Sequence, residues 1–377
     1  MIKKIFFYGF SIFFNRIFGL LPLKKNRVLF LSDVRDDLSG NFEFIYREIA
    51  ADYEIKTSLK ADRRIRHSFG DYIKQCLWLA TSEYVLLDDF AECTAFMHVR
   101  KGQQLVQLWH GSGAYKKFAY SREGEKNIRI HPGYKRYTKA IVSSEFTRSC
   151  YVEAFRIPAD RIAVTGIPKT DIFFDEDYKA EKRAEFFRNF PGASGKKIIL
   201  FAPTYRGTRV EDAGYSFDSL NLEKIYEALH DDYVLLIKWH PALFNNIRLG
   251  KVKEYDPEQY RNFVYDVSQS REVNDFMFAA DILVTDYSSI IFDYALLEKP
   301  IIYFAYDLEE YENGRGLYCP FNEYIYGKIA KNTDELISAL KEAKIYEDKL
   351  RLFTDKFIKA NDGRATERVV EFVFGDA

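Results

Sequence analysis

The chain has 377 residues, with 55 basic and 56 acidic side chains and a net charge of −1. That length exceeds one ordinary hydrophobic core, so two domains are expected. A composition 47% hydrophobic and 29% charged excludes a disordered or fibrous chain, and the lack of a basic surplus argues against a nucleic-acid partner.

Residues 1–32 carry six Lys or Arg and no acid. The apolar run Ile5 to Phe14 is too short to span a bilayer. Arg16 interrupts the apolar region and no small-residue cleavage site follows, which speaks against a signal peptide. Residues 1–25 are therefore read as an interfacial segment. Its aromatics would lie at the acyl boundary, with Lys3, Lys4, Arg16, Lys24 and Lys25 beside anionic headgroups. The alternative is a first helix packed on the protein's own core. An apolar stretch flanked only by positive charge fits that less well. Aromatics make up 17% of the chain, mostly as core residues by expectation. Cys76, Cys93, Cys150 and Cys319 form no Cys-x-x-Cys pair. Neither a disulfide framework nor a zinc site is expected, and a reducing cytoplasm is the default.

Short apolar, β-branched runs then alternate with helix-like segments. Strands are predicted at 28–32, 84–89, 105–110, 140–144, 162–166, 197–204, 233–240, 263–267, 282–286 and 300–305. Helices are predicted at 42–50, 146–155, 220–230, 273–280, 289–298 and 333–347, among others. Continuous apolar strands separated by helices mean parallel sheets covered on both faces. A seam lies between Gly166 and Lys196, where a charged stretch ends in Pro191-Gly-Ala-Ser-Gly195. The expected organisation is residues 26–180 as a first Rossmann-like domain, 195–360 as a second, and 361–377 as a C-terminal helix. Two Rossmann-like α/β domains facing across a cleft is the glycosyltransferase-B type of arrangement.

Open parallel sheets bind ligands outside the carboxyl ends of their strands. Those ends are Asp88-Asp89, Trp109-His110-Gly111, Ser143-Ser144, Gly166-Ile-Pro168, Ala202-Pro-Thr204, Trp239-His240-Pro241 and Thr285-Asp286-Tyr287-Ser288-Ser289. Two of them match: Leu108-Trp-His110-Gly and Lys238-Trp-His240-Pro, one per half. If the domains face each other, one imidazole can act as a base while the other, protonated, stabilises charge. His67, His98, His131 and His230 are read as structural. Ser288 or Ser289 stands where an N-cap belongs, ahead of an apolar helix. Capping explains one Ser; two hydroxyls and free N–H groups would also cradle a phosphate. Asp293, one turn on, could face the same ligand. Arg206 and Arg315 are candidates for bidentate phosphate contacts, with surface solvation the plain alternative for each. No Walker loop, G-x-G-x-x-G, G-x-S-x-G or H-E-x-x-H is present. The acidic pair Asp175 and Asp177 is read as a solvated helix start, and neither an obligatory cofactor nor a protein-bound metal is expected.

Six motifs in order carry a resemblance: Trp109-His110-Gly111, Gly166-Ile-Pro168-Lys-Thr-Asp171, Pro203-Thr-Tyr-Arg206, Lys238-Trp-His240-Pro241, Thr285-Asp-Tyr-Ser-Ser289 and Arg315-Gly316. Over about residues 25–360 the chain resembles the CDP-glycerol glycerophosphotransferases of teichoic-acid and capsule synthesis. The resemblance implies a polyol-phosphate transferase on the cytoplasmic face of a bacterial membrane. It would use a CDP-polyol donor and an undecaprenyl-type lipid-linked acceptor, release CMP, and associate peripherally with an anionic membrane surface. His110 and His240 match the family's two essential histidines. Ser288, Ser289, Asp293, Lys238, Trp239, Pro203 and Thr204 match donor-binding positions. Gly111, Ser112, Lys169, Thr285 and Asp286 lie in the same motifs and are counted with them as substrate-binding. The family often has Arg at Lys169 and Thr-Pro at Ser112-Gly113, so the polyol and the acceptor stay open. The implied mechanism has an acceptor hydroxyl attacking the polyol-bearing phosphorus. His110 is the base, and His240, Lys238, Ser288, Ser289 and Arg315 hold the pyrophosphate. Two other functions stand beside it: a nucleotide-sugar glycosyltransferase of the same fold, and a non-catalytic membrane scaffold.

Overall fold

A computed structural model describes residues 2–62, 65, 67–125, 130–207, 212–252, 257–270, 273–314 and 316–375. The chain forms two compact units. The first holds residues 1–174 and 356–377, the second 175–355. Each is built on a six-stranded, wholly parallel sheet.

In the first unit the elements run α1 (Ile2–Phe18), β1 (Lys24–Ser32), α2 (Asn41–Ile49), β2 (Glu54–Leu59), α3 (Phe69–Thr81), β3 (Ser82–Leu87), β4 (Gln104–Gln107), β5 (Lys139–Val142), α4 (Glu145–Phe155) and β6 (Ile162–Val164). The strand order is β2-β1-β3-β4-β5-β6, so the sheet reverses direction between β1 and β3. The central strands are buried on both faces, as the unbroken run Val28–Leu31 requires. Val28, Phe30, Leu86, Val106 and Ile141 pack there against Phe42, Ile45 and Ile49 of α2. Each such side chain contributes about 1.5–3 kcal/mol on burial.

The second unit runs α5 (Glu176–Asn189), β7 (Lys197–Phe201), α6 (Leu222–Leu229), β8 (Tyr233–Ile237), α7 (Pro241–Arg248), β9 (Val264–Asp266), α8 (Asn274–Ala279), β10 (Ile282–Thr285), α9 (Ile290–Ala295), β11 (Ile301–Phe304), α10 (Leu308–Gly314), β12 (Lys328–Ala330), α11 (Thr333–Lys341) and α12 (Glu347–Phe357). Its order, β12-β11-β10-β7-β8-β9, switches direction between β7 and β10. Leu222, Ile225 and Leu229 of α6 and Leu336, Ala339 and Leu340 of α11 cover one face.

The division departs from the sequence-based boundaries at two points. Helix α5 belongs wholly to the second unit. Tyr178 meets Phe278 edge-on at 5.8 Å, and Arg183 donates to the Ala279 carbonyl at 2.7 Å. The last residues, led by α13 (Ala365–Phe374), return to the first unit. Val369 and Val373 join its core, and the Asp171 carboxylate caps α13 by accepting from the N–H groups of Ala365 and Thr366. Gly166 makes this return possible. Its φ is +82°, and a Cβ there would lie 2.2 Å from the Ala360 carbonyl oxygen. Gly166→Ala is expected to destabilise the first unit by about 2–4 kcal/mol, read as a lowered urea midpoint. An unchanged midpoint would show that residues 356–375 do not pack as described.

Candidate active site

The first cluster lies where β3 and β4 end. Strand β4 stops at Gln107 because Trp109 takes a left-handed φ of +56°. That turn is held from several sides. The Gln107 carboxamide accepts from Trp109 N at 2.9 Å and donates to the Asp89 carbonyl at 3.2 Å. Asn41, 3% exposed at the start of α2, donates to the Trp109 carbonyl at 2.8 Å and accepts from Lys169 N at 3.0 Å. His110 follows, half-exposed and stacked on Trp109 at 4.8 Å. Its Nδ1 lies 3.7 Å from Asp89 Oδ2. At that distance the pair is an ion-pair contact rather than a hydrogen bond, with the carboxylate on the Nδ1 side, which leaves Nε2 for proton transfer. Ser112 is buried, and Gly111 is partly exposed beside His110. Asp88, next to Asp89, is also buried, which pushes its pKa up, while Ser32 and Arg35 pull the other way.

The second cluster sits at the switch point of the other sheet. Asp286, 1% exposed at the end of β10, accepts from Thr204 N at 2.7 Å and Tyr287 N at 2.6 Å. It also accepts from Arg206 Nη1 at 2.9 Å. The other side of the guanidinium is bidentate on Asp307, at 2.6 and 2.9 Å. Tyr215, Tyr287, Tyr306 and Tyr311 surround it at 5.1–5.8 Å. Burial alone would lower the Arg206 pKa; the bonds to Asp307 and the charge of Asp286 outweigh it, and the net direction is up. Burial drives the Tyr306 phenol up to about 12. One strand over, His240 is exposed and caps α7. Its Nδ1 accepts from Ala242 N at 3.2 Å, which places the proton of the neutral ring on Nε2. The ring rests on Tyr205 at 4.7 Å, while Lys238 is 7% exposed.

Several residues read from the sequence as ligand contacts are framework in this geometry. Arg206 spends its donors on Asp307, Asp286 and the Thr204 carbonyl. Thr285 is buried and bonded to the Ala202 carbonyl. Pro203 and Asp293 are buried. Trp239 is 1% exposed and packs among Phe201, Tyr215 and Phe217 rather than offering a platform. Helix α9 has six residues. Ser289 makes no cap bond, and Ser288 Oγ accepts from Ile290 N at 3.4 Å. Arg315 lies outside the described residues. Sequence reasoning missed Asn41, Gln107 and Asp307 and assigned no role to Asp89. Only Asp89 carried a signal, its place at a strand end. Among the described residues no group of acidic, Cys or His side chains could hold a metal ion.

The family model of the CDP-glycerol:poly(glycerophosphate) glycerophosphotransferases matches residues 13–375. The chain belongs to that family. It is 40% identical over 360 residues to a teichoic acid poly(ribitol-phosphate) polymerase of Bacillus spizizenii, covering 94% of this chain and 57% of that one. To the teichoic acid ribitol-phosphate polymerase TarK of Staphylococcus aureus it is 37% identical, covering 98% and 73%. The chain thus spans little more than half the length of the first relative. Its fold is similar to that of the wall teichoic acid polymerase TagF, with a TM-score of 0.77, 22% identity, and coverage of 99% and 95%. The fold class is thus the two-domain α/β glycosyltransferase-B type.

Arg206 is expected to act on stability. Arg206→Leu leaves the buried Asp286 and the partly buried Asp307 without a counter-charge, at a cost of about 3–5 kcal/mol. Thermal melting checks this. A variant as stable as the wild type would return Arg206 to the ligand-binding set.

Proposed function

We propose that the protein transfers a polyol phosphate from a CDP-polyol to a lipid-linked acceptor at a membrane surface and releases CMP. The polyol is ribitol, by analogy with the two relatives above, whose polymers are ribitol phosphates. The observation that carries the reading is the difference between the two histidines. His110 has a carboxylate 3.7 Å from Nδ1, which favours a base. His240 has a backbone N–H at Nδ1, so its Nε2 faces ligands as a donor.

In the proposed reaction an acceptor hydroxyl attacks the polyol-bearing phosphorus. The new P–O bond forms as the P–O bond to the bridging oxygen breaks, and that oxygen leaves with CMP. The hydroxyl proton goes to Nε2 of His110. His240 Nε2–H, Lys238 and Ser288 stabilise charge on the pyrophosphate. Thr204, Arg206, Asp286 and Asp307 shape the loop that carries them. CMP is a good leaving group, so positioning and charge stabilisation supply most of the catalysis.

Purified protein with a lipid-linked acceptor should release CMP from CDP-ribitol and far less from CDP-glycerol. The reverse preference would overturn the choice of polyol, and release from neither would overturn the reaction class. His110→Ala should lower kcat by about 10²–10⁴. Asp89→Asn should lower kcat with little change in KM. A folded His110→Ala variant within tenfold of wild type would rule out the base.

A further inference from the structure

His110 is held loosely by its polar surroundings. Its side chain is 54% exposed, and Asp89 Oδ2 stands 3.7 Å from Nδ1, beyond hydrogen-bond distance. A charge at that distance attracts the imidazole without fixing the plane of the ring. The plane is set by the Trp109 indole, which stacks on the imidazole at 4.8 Å and 25°. Among the described residues it is the one ring that His110 touches.

Trp109 must in turn be held. A φ of +56° is an uncommon, strained conformation for a bulky side chain. The hydrogen bonds from Gln107 and Asn41 secure its backbone N–H and carbonyl, not its ring. Tyr151 and Phe155 meet the indole edge-on, at 6.3 and 5.7 Å. Phe118 lies flat against it, at 4.7 Å and 26°. Among the described residues, Phe118 and His110 are the two rings stacked on this indole.

Phe118 is itself anchored. Its ring meets the edges of Tyr151 and Phe155 at 5.4 and 5.5 Å. Both belong to α4 and are 1% and 0% exposed. The Phe118 carbonyl accepts from Ser121 N at 3.0 Å. Aromatic pairs prefer offset-stacked and edge-on arrangements with centroids about 4.5–7 Å apart, so orientation passes from ring to ring. The buried face of α4 orients Phe118, Phe118 orients the indole, and the indole orients the imidazole.

We propose that Phe118 is a positioning residue for the His110 base and acts through the Trp109 ring. The assignment rests on the transfer reading above and deepens it. Proton transfer to Nε2 needs the imidazole aimed at the acceptor hydroxyl, and a misplacement of about 1 Å can cost about 10²-fold in rate.

The test is CMP release by the full chain, with folding checked by thermal melting. Phe118→Leu keeps apolar bulk but removes the flat face. It should lower kcat about tenfold and leave KM within about twofold. Phe118→Met, another apolar side chain without a ring, should do the same, and it replaces Phe118→Leu if that variant does not fold. Phe118→Tyr keeps the ring and should stay within about threefold of wild type. In a His110→Ala background, Phe118→Leu should change the residual rate by less than about twofold, because the phenyl ring acts through the missing imidazole. A loss of about tenfold in that background, or in Phe118→Tyr, would mark a packing role alone and overturn the proposal. Folded Phe118→Leu or Phe118→Met protein with wild-type kcat would overturn it too. Near-normal turnover by His110→Ala would instead overturn the base itself, so the two readings fail by different variants.

Discussion

The second unit depends on one guanidinium. Asp286 and Asp307 hang from loops after β10 and β11 and meet at Arg206, which follows β7. Two carboxylates so close, with side-chain exposures of 1% and 15%, would repel and would each lack solvation. The cation between them resolves both problems at once. Charge attraction alone leaves geometry loose, whereas the planar fork fixes it. Asp286 then passes the constraint on to the backbone N–H groups of Thr204 and Tyr287. The loops that close the switch point are therefore set by one buried ion network. The exposed hydroxyls and His240 are mounted on its rim.

The first unit holds its Trp109–His110 turn with neutral groups, although Asp88 and Arg35 pair at the neighbouring strand end. Its strand end is a thread of neutral hydrogen bonds from Lys169 N through Asn41 to Trp109, and on through Gln107 to Asp89. The contrast explains why two sequences as similar as Trp-His-Gly and Trp-His-Pro give their histidines different surroundings. Pro241 opens α7, makes His240 its N-cap and occupies Nδ1 with a backbone N–H. Gly111 opens no helix. The left-handed Trp109 turns the following ring toward Asp89. Trp239 sinks into the core, while Trp109 becomes the shelf on which His110 lies.

The interior strands were legible because parallel strands buried on both faces must be apolar throughout. Strands β2 and β12 escaped notice because edge position leaves Glu54, Lys56, Lys328 and Ile329 partly or fully exposed, and the apolar run disappears. Strand ends were read too long at Leu105–His110 and Tyr233–His240. Loop residues such as Leu108 and Trp239 are buried for tertiary reasons and look like strand. The return of α13 had no local signal. It rests on Asp171 and Gly166 meeting residues nearly 200 positions away. The histidines and the Ser-Ser pair were legible as strand-end residues. The partners that decide their roles were not, since Asp307 lies 101 residues from Arg206.

The parallel sheet of the first unit also separates two groups of residues by its polarity. Every strand sends its carboxyl end, with Asp89 and His110, one way. Every amino end, with the base of α1 and the basic side chains Arg100 and Lys101, points the other way. Changes at the amino ends reach His110 through the sheet core, where Val85, Leu86, Leu105 and Val106 are fully buried and allow little displacement. Substitutions in α1 and around Lys101 therefore leave the setting of Asp89 and His110 undisturbed.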